Sequence, residues 1–480
     1  MNLTKIGLRW FIFSIITAIL NFAGIVYFSR VLGARALGIY FLFLSTLTVF
    51  NLFTNMGLSA ATIKRLSEGG KRSEIATASL MLRLGAFGIC AVIVLIFKNQ
   101  LNSYIGTDLS YFLLFILGLT QFSEIIREIL HGEQKVDTGG AYDLIQQFLR
   151  TASQSLLILF GFEVFGLIIG MGIGIFISVI IGSKLVSVGI KVPEKSHFKS
   201  LLTYSKFSFG NAIGGYLYEW ADIAIIGFFL TQQFVGIYGI AWGLSAAFLI
   251  LSNAVTSSIY PMISELSTKG EKQKIGELFS ESLIYSPMLV IPALFGTLVI
   301  SESLLGTVFG EEFKKGYLVL IILMLTRVFQ SAQMVSVRTL EGMDLPNLVF
   351  KVNIATTILN IFGVVTLVYL FGFVGAAIGT MLTIFASFFW NTIIVCRLLK
   401  VSIPFRDIVL EIFSAAVMGV IIFGISKFLP VTTFPNLIIT VLTGGTAYFI
   451  VLLFMSKRIQ SKCLLILKEV VRTGQGAADT

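Results

Sequence analysis

Two stretches of this 480-residue chain place polar side chains at helical spacing inside segments that are otherwise apolar enough to cross a bilayer. Asn211, Gly215, Glu219 and Asp222 stand at i, i+4, i+8 and i+11, and Asp143, Gln147, Arg150 and Gln154 follow i, i+4, i+7 and i+11, with Gln146 alongside. Such intervals align on one helical face. An ionisable group at the centre of a membrane helix costs at least about 2.5 kcal/mol, so these faces are expected to look onto a protein interior or a water-filled path. Arg83, Glu124, Arg127, Arg327 and Gln330 complete the intramembrane polar set.

The chemistry open to such residues is recognition and ion coupling. An arginine presents a planar fork to phosphate oxygens and does not lose its proton. Arg83, Arg150 and Arg327, with Asp143, Gln147, Gln154 and Gln330, are therefore candidates to line a basic cavity for an anionic ligand. Glu219 and Asp222 are candidates to bind H+ or Na+ as the protein changes conformation, or equally to pair with an arginine of a facing lobe. Glu124 with Arg127 or Glu128 reads as pairing along one helix. No GxxxxGK[ST] loop occurs, so ATP is not the direct energy source. His131 and His197 are far apart, and Cys90, Cys396 and Cys463 are scattered, so no metal site, disulfide framework or catalytic triad is expected, and no cofactor beyond a coupling ion.

These stripes need a membrane scaffold. The chain is 56% hydrophobic and 12% charged, with mean hydropathy +0.93, where a soluble domain is about 25% charged. The reading is an all-α polytopic membrane protein of about fourteen spans. They fall at 8–29, 36–60, 75–97, 110–130, 140–160, 163–186, 207–230, 234–259, 278–301, 316–338, 346–370, 373–397, 408–429 and 435–456. Of the 35 lysines and arginines, most fall in segments on the side of the termini, so both ends are expected in the cytoplasm. The net charge of +10 is spread over many loops, which gives no patch for nucleic acid.

The chain repeats itself in three places at offsets of about 200 residues. Gly38-Ile39-Tyr40 returns as Gly236-Ile237-Tyr238, and Leu119-Thr120 with Gly132 as Leu325-Thr326 with Gly342. Phe160-Gly161-Phe162 with Gly166 and Gly170 returns as Phe371-Gly372-Phe373 with Gly375 and Gly379. A six-span repeat crosses the membrane in the same direction in both copies, which implies an axis along the membrane normal. Two pseudo-symmetric six-helix lobes are expected, 1–200 and 201–400, with an appended helix pair at 401–456 and a cytoplasmic amphipathic tail at 457–480. Gly166, Gly170, Gly172 and Gly174 read as a close-packing surface.

The motifs resemble a known family. Ser29-Arg30-Val31-Leu32-Gly33 through Tyr40, Gly57-Leu58-Ser59-Ala60-Ala61, Arg65-Leu66-Ser67-Glu68-Gly69, Asp222 followed by Val235-Gly236-Ile237-Tyr238, Phe309-Gly310-Glu311-Glu312-Phe313 and Gly375-Ala376-Ala377-Ile378-Gly379 match in order and spacing. They are similar to the polysaccharide or oligosaccharide flippases of the multidrug/oligosaccharidyl-lipid/polysaccharide exporter superfamily. The Arg65–Gly69 stretch looks most like archaeal members. The resemblance implies a two-lobe bundle with a central cavity that moves a lipid-linked sugar across the cytoplasmic membrane by alternating access. The last helix pair is similar to that of lipid-linked cell-wall precursor flippases, where it helps form a lipid groove. The expected partners are a polyprenyl-linked anionic glycan and membrane lipids, with the chain working as a monomer and not as an enzyme. The competing readings are a drug/cation antiporter of the same superfamily and a membrane glycosyltransferase or polymerase.

Overall fold

With no water in a bilayer to bond the backbone, an apolar chain must satisfy its N–H and C=O groups within helices. The computed structural model describes residues 3–456 and 458–461, apart from the side chains of 3–8, 207, 211–213, 215, 217 and 218, and among the described residues it is helical with no strand. The amphipathic tail expected from 457 onward lies almost wholly outside the described residues.

Residues Met1–Gly239 form one compact unit and Ile240–Thr480 a second. The first contains α1 (Leu3–Asn55), α2 (Leu58–Ser67), α3 (Arg72–Ile96), α4 (Lys98–Ile105), α5 (Ser110–Gly132), α6 (Val136–Leu159), α7 (Glu163–Ser183) and α8 (Lys195–Phe229). Helix α9 (Gln232–Ala247) runs from the first unit into the second, which holds α10 (Ile250–Thr268), α11 (Lys272–Tyr285), α12 (Val290–Phe309), α13 (Tyr317–Gly342), α14 (Pro346–Leu399), α15 (Phe405–Phe428) and α16 (Phe434–Met455).

Among the described residues, eight helical stretches are long and apolar enough to cross a membrane, or ten if two sharply bent pairs each count as one span. The expected fourteen is not reached by this measure. Two of the eight are far longer than one crossing, and each breaks at a glycine: α1 at Gly33 (φ 78°) and α14 at Gly372 (φ 62°). Those breaks fall between the expected spans 8–29 and 36–60, and between 346–370 and 373–397. Only glycine takes positive φ without a Cβ penalty, so both positions suit the residue found there. Helices α6 and α8 are outside the set. Both carry the polar stripes, which lower their hydropathy.

Each repeated motif builds the same local structure. Helices α5 and α13 end in matching reverse turns: Lys135 N–H donates to Leu130 O at 2.9 Å and Leu345 N–H to Leu340 O at 3.0 Å. The turn residues Gln134 and Asp344 have φ of 61° and 60°. After the Phe-Gly-Phe breaks, Gly170 lies against Gln154 and Gly379 against Val364, each folding the chain back on the helix before it. Gly38 packs on the Gln232 carbonyl and Gly236 on the Ala34 carbonyl, so the two Gly-Ile-Tyr copies meet with no room for a side chain at either glycine.

The start of α8 is tied to the turn before α3. Lys71 and Glu194 pair at 2.5 Å, and this lysine, by hydrogen bond and charge, holds the exposed Glu194 carboxyl below the usual carboxylate range. In the second unit, buried Phe279, Leu283, Ile259, Ile263 and Val335 join α10, α11 and α13. The C-terminal pair carries an anomaly: Glu411 on α15 is fully buried, and neither of its carboxyl oxygens has a hydrogen-bond partner. The nearby Tyr448 hydroxyl on α16 is buried and unpartnered as well. An unsatisfied buried polar group carries a desolvation penalty of about 1–3 kcal/mol, so Glu411→Met is expected to stabilise the protein by that order. The check is thermal unfolding of the detergent-purified chain, where a lower midpoint than wild type would contradict this.

Candidate substrate cavity

The polar stripe of α6 is held in place by glycines on α7. A Cβ at Gly174 would stand 2.5 Å from Arg150 Cα, and one at Gly170 would stand 2.5 Å from Gln154 N, so the two backbones approach as only glycine permits. The packing surface read from the sequence is thus also the surface that positions Arg150. Gly174→Val is expected to push α6 away and to reduce function as much as loss of Arg150 does. Full transport by a Gly174→Val protein would separate the glycine from the site.

Arg150, Gln147 and Asp143 line a cavity of about 810 Å³ inside the first unit, walled by α1, α5, α6 and α7 with Trp220 from α8. Arg150 Nη2 donates to the Tyr40 hydroxyl at 2.8 Å. Its Nε is buried without a partner, and Arg150 takes part in none of the ion pairs among the described residues. Gln154 is behind it, buried, and donates to the same hydroxyl at 3.1 Å and to Leu167 O at 2.8 Å. It therefore orients Tyr40 and does not line the cavity. Gln147 faces the cavity and donates to Thr151 at 2.9 Å.

Asp143 also faces the cavity but is taken by Arg127, whose Nε donates to it at 2.7 Å, while Arg127 Nη2 reaches Gln146 at 3.2 Å. Both partners are more than a third exposed, so the pair is solvated and adds little to stability.

Arg83 departs from the expectation of a cavity-lining residue. Its side chain has 0% exposure and is clamped by Glu124 at 2.7 Å and Glu128 at 2.5 Å, with Ser59 at 3.1 Å. A guanidinium so desolvated needs charged partners, and two carboxylates supply them. Glu124 is the member of this cluster that reaches the cavity wall, at 17% exposure, and it accepts from Asn51 at 2.7 Å and Asn55 at 3.0 Å. The pairing expected within α5, Glu124 with Arg127 or Glu128, gives way to pairing between helices.

Arg327 and Gln330 are in the second unit and bind each other at 2.6 Å. Arg327 also donates to Ser245 at 3.2 Å and lies 4.0 Å from the Trp242 ring centre, with 1% exposure. Neither lines the cavity. Glu219 and Asp222 share helical spacing but not surroundings: Glu219 is exposed, whereas Asp222 is buried and accepts a short hydrogen bond from Tyr238. The side chains of Asn211 and Gly215, from the same stripe, are outside the described residues.

The sequence reading did not single out Tyr40, Asn51, Trp10 or Trp220 as cavity residues. For Tyr40 the signal was present, since both copies of Gly-Ile-Tyr end in a tyrosine whose hydroxyl engages an intramembrane polar residue, Arg150 for Tyr40 and Asp222 for Tyr238. With Arg83, Arg127 and Arg150 set against Glu124, Glu128 and Asp143, formal charges around the cavity cancel. The expected basic character is therefore concentrated at Arg150.

Known proteins share this architecture. A family described as "Polysaccharide biosynthesis protein" matches residues 27–317. The "Probable low-salt glycan biosynthesis flippase Agl15" of Haloferax volcanii is 34% identical over 452 residues, covering 93% of this chain and 95% of that protein. The "Probable flippase AglR" of the same organism is 26% identical, covering 92% and 94%. Among solved structures, the lipid II flippase MurJ in an inward closed conformation superposes with TM-score 0.74 at 15% identity, covering 93% of this chain and 98% of that one. An inward-facing multidrug resistance MATE family transporter of the MOP superfamily gives TM-score 0.64 at 16% identity, covering 80% and 96%. These two share the fold. The extent of the family match and the identity with the Haloferax flippase show that the chain belongs to the polysaccharide biosynthesis protein family.

Proposed function

We propose that the chain flips a lipid-linked oligosaccharide or polysaccharide precursor across the cytoplasmic membrane by alternating access, with the headgroup phosphate held at Arg150. The observation that carries this reading is an arginine without a carboxylate partner on the wall of a cavity of about 810 Å³. Ligand cavities run from about 300 to 1,000 Å³, so this one suits a phosphate with its nearest sugars while the polyprenyl chain stays in lipid. Asn51 and Gln147 offer amides to sugar hydroxyls, and Trp10 and Trp220 offer ring faces.

The antiporter reading needs a carboxylate free to meet a cation in the cavity. Asp143 and Glu124 are both bound to arginines, which disfavours it. A transporter needs no catalytic constellation, and the chain acts here as a carrier and not as a glycosyltransferase. In this reading both termini are cytoplasmic, which the distribution of lysines and arginines supports, the working unit is one chain, and H+ or Na+ is the coupling ion, with Glu219 and Asp222 the candidates read from the sequence.

The test is reconstitution in proteoliposomes with a fluorescent polyprenyl-diphosphate sugar in one arm and a cationic dye in the other. Protein-dependent movement of the lipid-linked sugar between leaflets is expected. Movement of the dye alone would favour the antiporter and overturn the proposal.

A further inference from the structure

We infer that the Glu124–Arg83–Glu128 cluster beside the cavity wall is a one-proton site, whose filling turns the cavity from neutral to cationic and so links proton uptake to capture of the phosphate headgroup. This rests on the reading of the cavity as a phosphate site and names the ion that regulates it.

The first observation is charge. One buried guanidinium stands between two carboxylates, at 2.7 Å from Glu124 and 2.5 Å from Glu128, which leaves one negative charge unmatched when both acids are ionised. The second is hydrogen bonding. Glu124 is well solvated by protein, with the amides of Asn51 and Asn55 on its two oxygens. Glu128 is 3% exposed, accepts from Arg83 through Oε1, and has a buried Oε2 with no partner. An unpaired oxygen is costly to bury on a carboxylate and much less so on a neutral acid. The proton therefore belongs on Glu128. The third is coupling to the cavity, because Glu124 opens on it and shares the Arg83 guanidinium with Glu128, so a proton on either acid changes the charge of one cluster.

Among the described residues, the other groups bonded to the cluster carry no charge. Helix α3 contributes Arg83, α2 contributes Ser59, and α1 contributes Asn51 and Asn55. From α6 comes Asp143, already paired with Arg127, and from α7 the uncharged Ser178, bound to Gln146. Helix α4 meets the other end of α5, through Asn102 and Ser110. Asp222 does not line the cavity and Asp143, which does, is held by Arg127, so Glu124 is the acid through which the cluster meets a ligand there, with Glu128 behind it on the same guanidinium.

Three arginines and three acids sum to zero, and one added proton leaves a single positive charge for the anion at Arg150. By linkage, a proton that raises phosphate affinity by some factor is itself bound more tightly by the same factor when phosphate is present, typically about 5- to 150-fold.

The experiment is calorimetric titration of the full chain in nanodiscs with geranylgeranyl diphosphate, in two buffers of different ionisation enthalpy across pH 6 to 8. Wild type should take up more protons on binding than Glu128→Gln, and bind more weakly as pH rises. Glu128→Gln, which mimics the filled site and keeps the Arg83–Glu124 pair, should bind at pH 8 about fivefold or more tighter than wild type, with a flatter pH profile. If that protein fails to fold, Glu124→Gln removes the same charge and serves in its place. Equal proton uptake and equal pH profiles in wild type and variant would overturn the proposal, as would affinity set by sodium and not by pH. Binding without the proton difference defeats this inference alone, whereas no binding of the diphosphate to wild type defeats the cavity reading as well.

Discussion

Arg150→Ala is expected to lower translocation of the lipid-linked glycan by about 10- to 100-fold without reducing the amount of folded protein in the membrane. A hydrogen bond to a charged group is worth about 1.5–3 kcal/mol, and Arg150 has no carboxylate competing for its fork. Its removal leaves no acid stranded, so the fold should tolerate it. Arg150→Lys keeps the charge and loses the planar pair of donors, and an intermediate rate is expected. The checks are initial translocation rate in proteoliposomes and protein yield by quantitative blot. A wild-type rate with alanine at this position would remove Arg150 from the site.

Arg83→Met is expected to act in the opposite way, by destabilising the protein. Arg83 touches two carboxylates and no cavity, and stripping one partner from a buried ion pair typically costs about 3–5 kcal/mol. Folded yield and the midpoint of thermal unfolding in detergent should both fall. The triple variant Arg83→Met, Glu124→Gln, Glu128→Gln removes the stranded charges together and should recover most of the lost stability. A stable Arg83→Met protein that fails to transport would instead make Arg83 a ligand of the substrate. Two intramembrane arginines that look alike in the sequence thus separate into one that recognises and one that holds the wall.

That separation marks where the sequence stops informing. Helical spacing was enough to find the face of α6, because Asp143, Gln147 and Arg150 are on one helix and one stripe. The glycine-centred breaks at Gly33 and Gly372 were legible as gaps between spans, since chain length and apolarity dictate them. Spacing along α3 and α5 says nothing of which residues meet across helices, and so Arg83 with Glu124 and Glu128 could not be read. The repeat marked Tyr40, but the same limit hid its partner, since it reaches Arg150 from a helix 110 residues earlier in the chain. Asp222 and Glu219 show the reverse failure: residues three apart share a face, yet one is buried against Tyr238 and the other is exposed. Net charge misled as well, because the arginines suggested a basic cavity while acids on neighbouring helices cancel the sum and leave only Arg150 without an acid partner.

The most direct measurement is photo-crosslinking of the purified protein with a polyprenyl diphosphate that carries a diazirine beside the phosphate, followed by peptide mapping. Adducts on α6 near Gln147 to Thr151 and on α1 near Tyr40, suppressed by unlabelled lipid-linked glycan and lost in Arg150→Ala, are the expected result. Competed adducts confined to the second unit, with α6 unlabelled, would contradict the claim that Arg150 receives the headgroup.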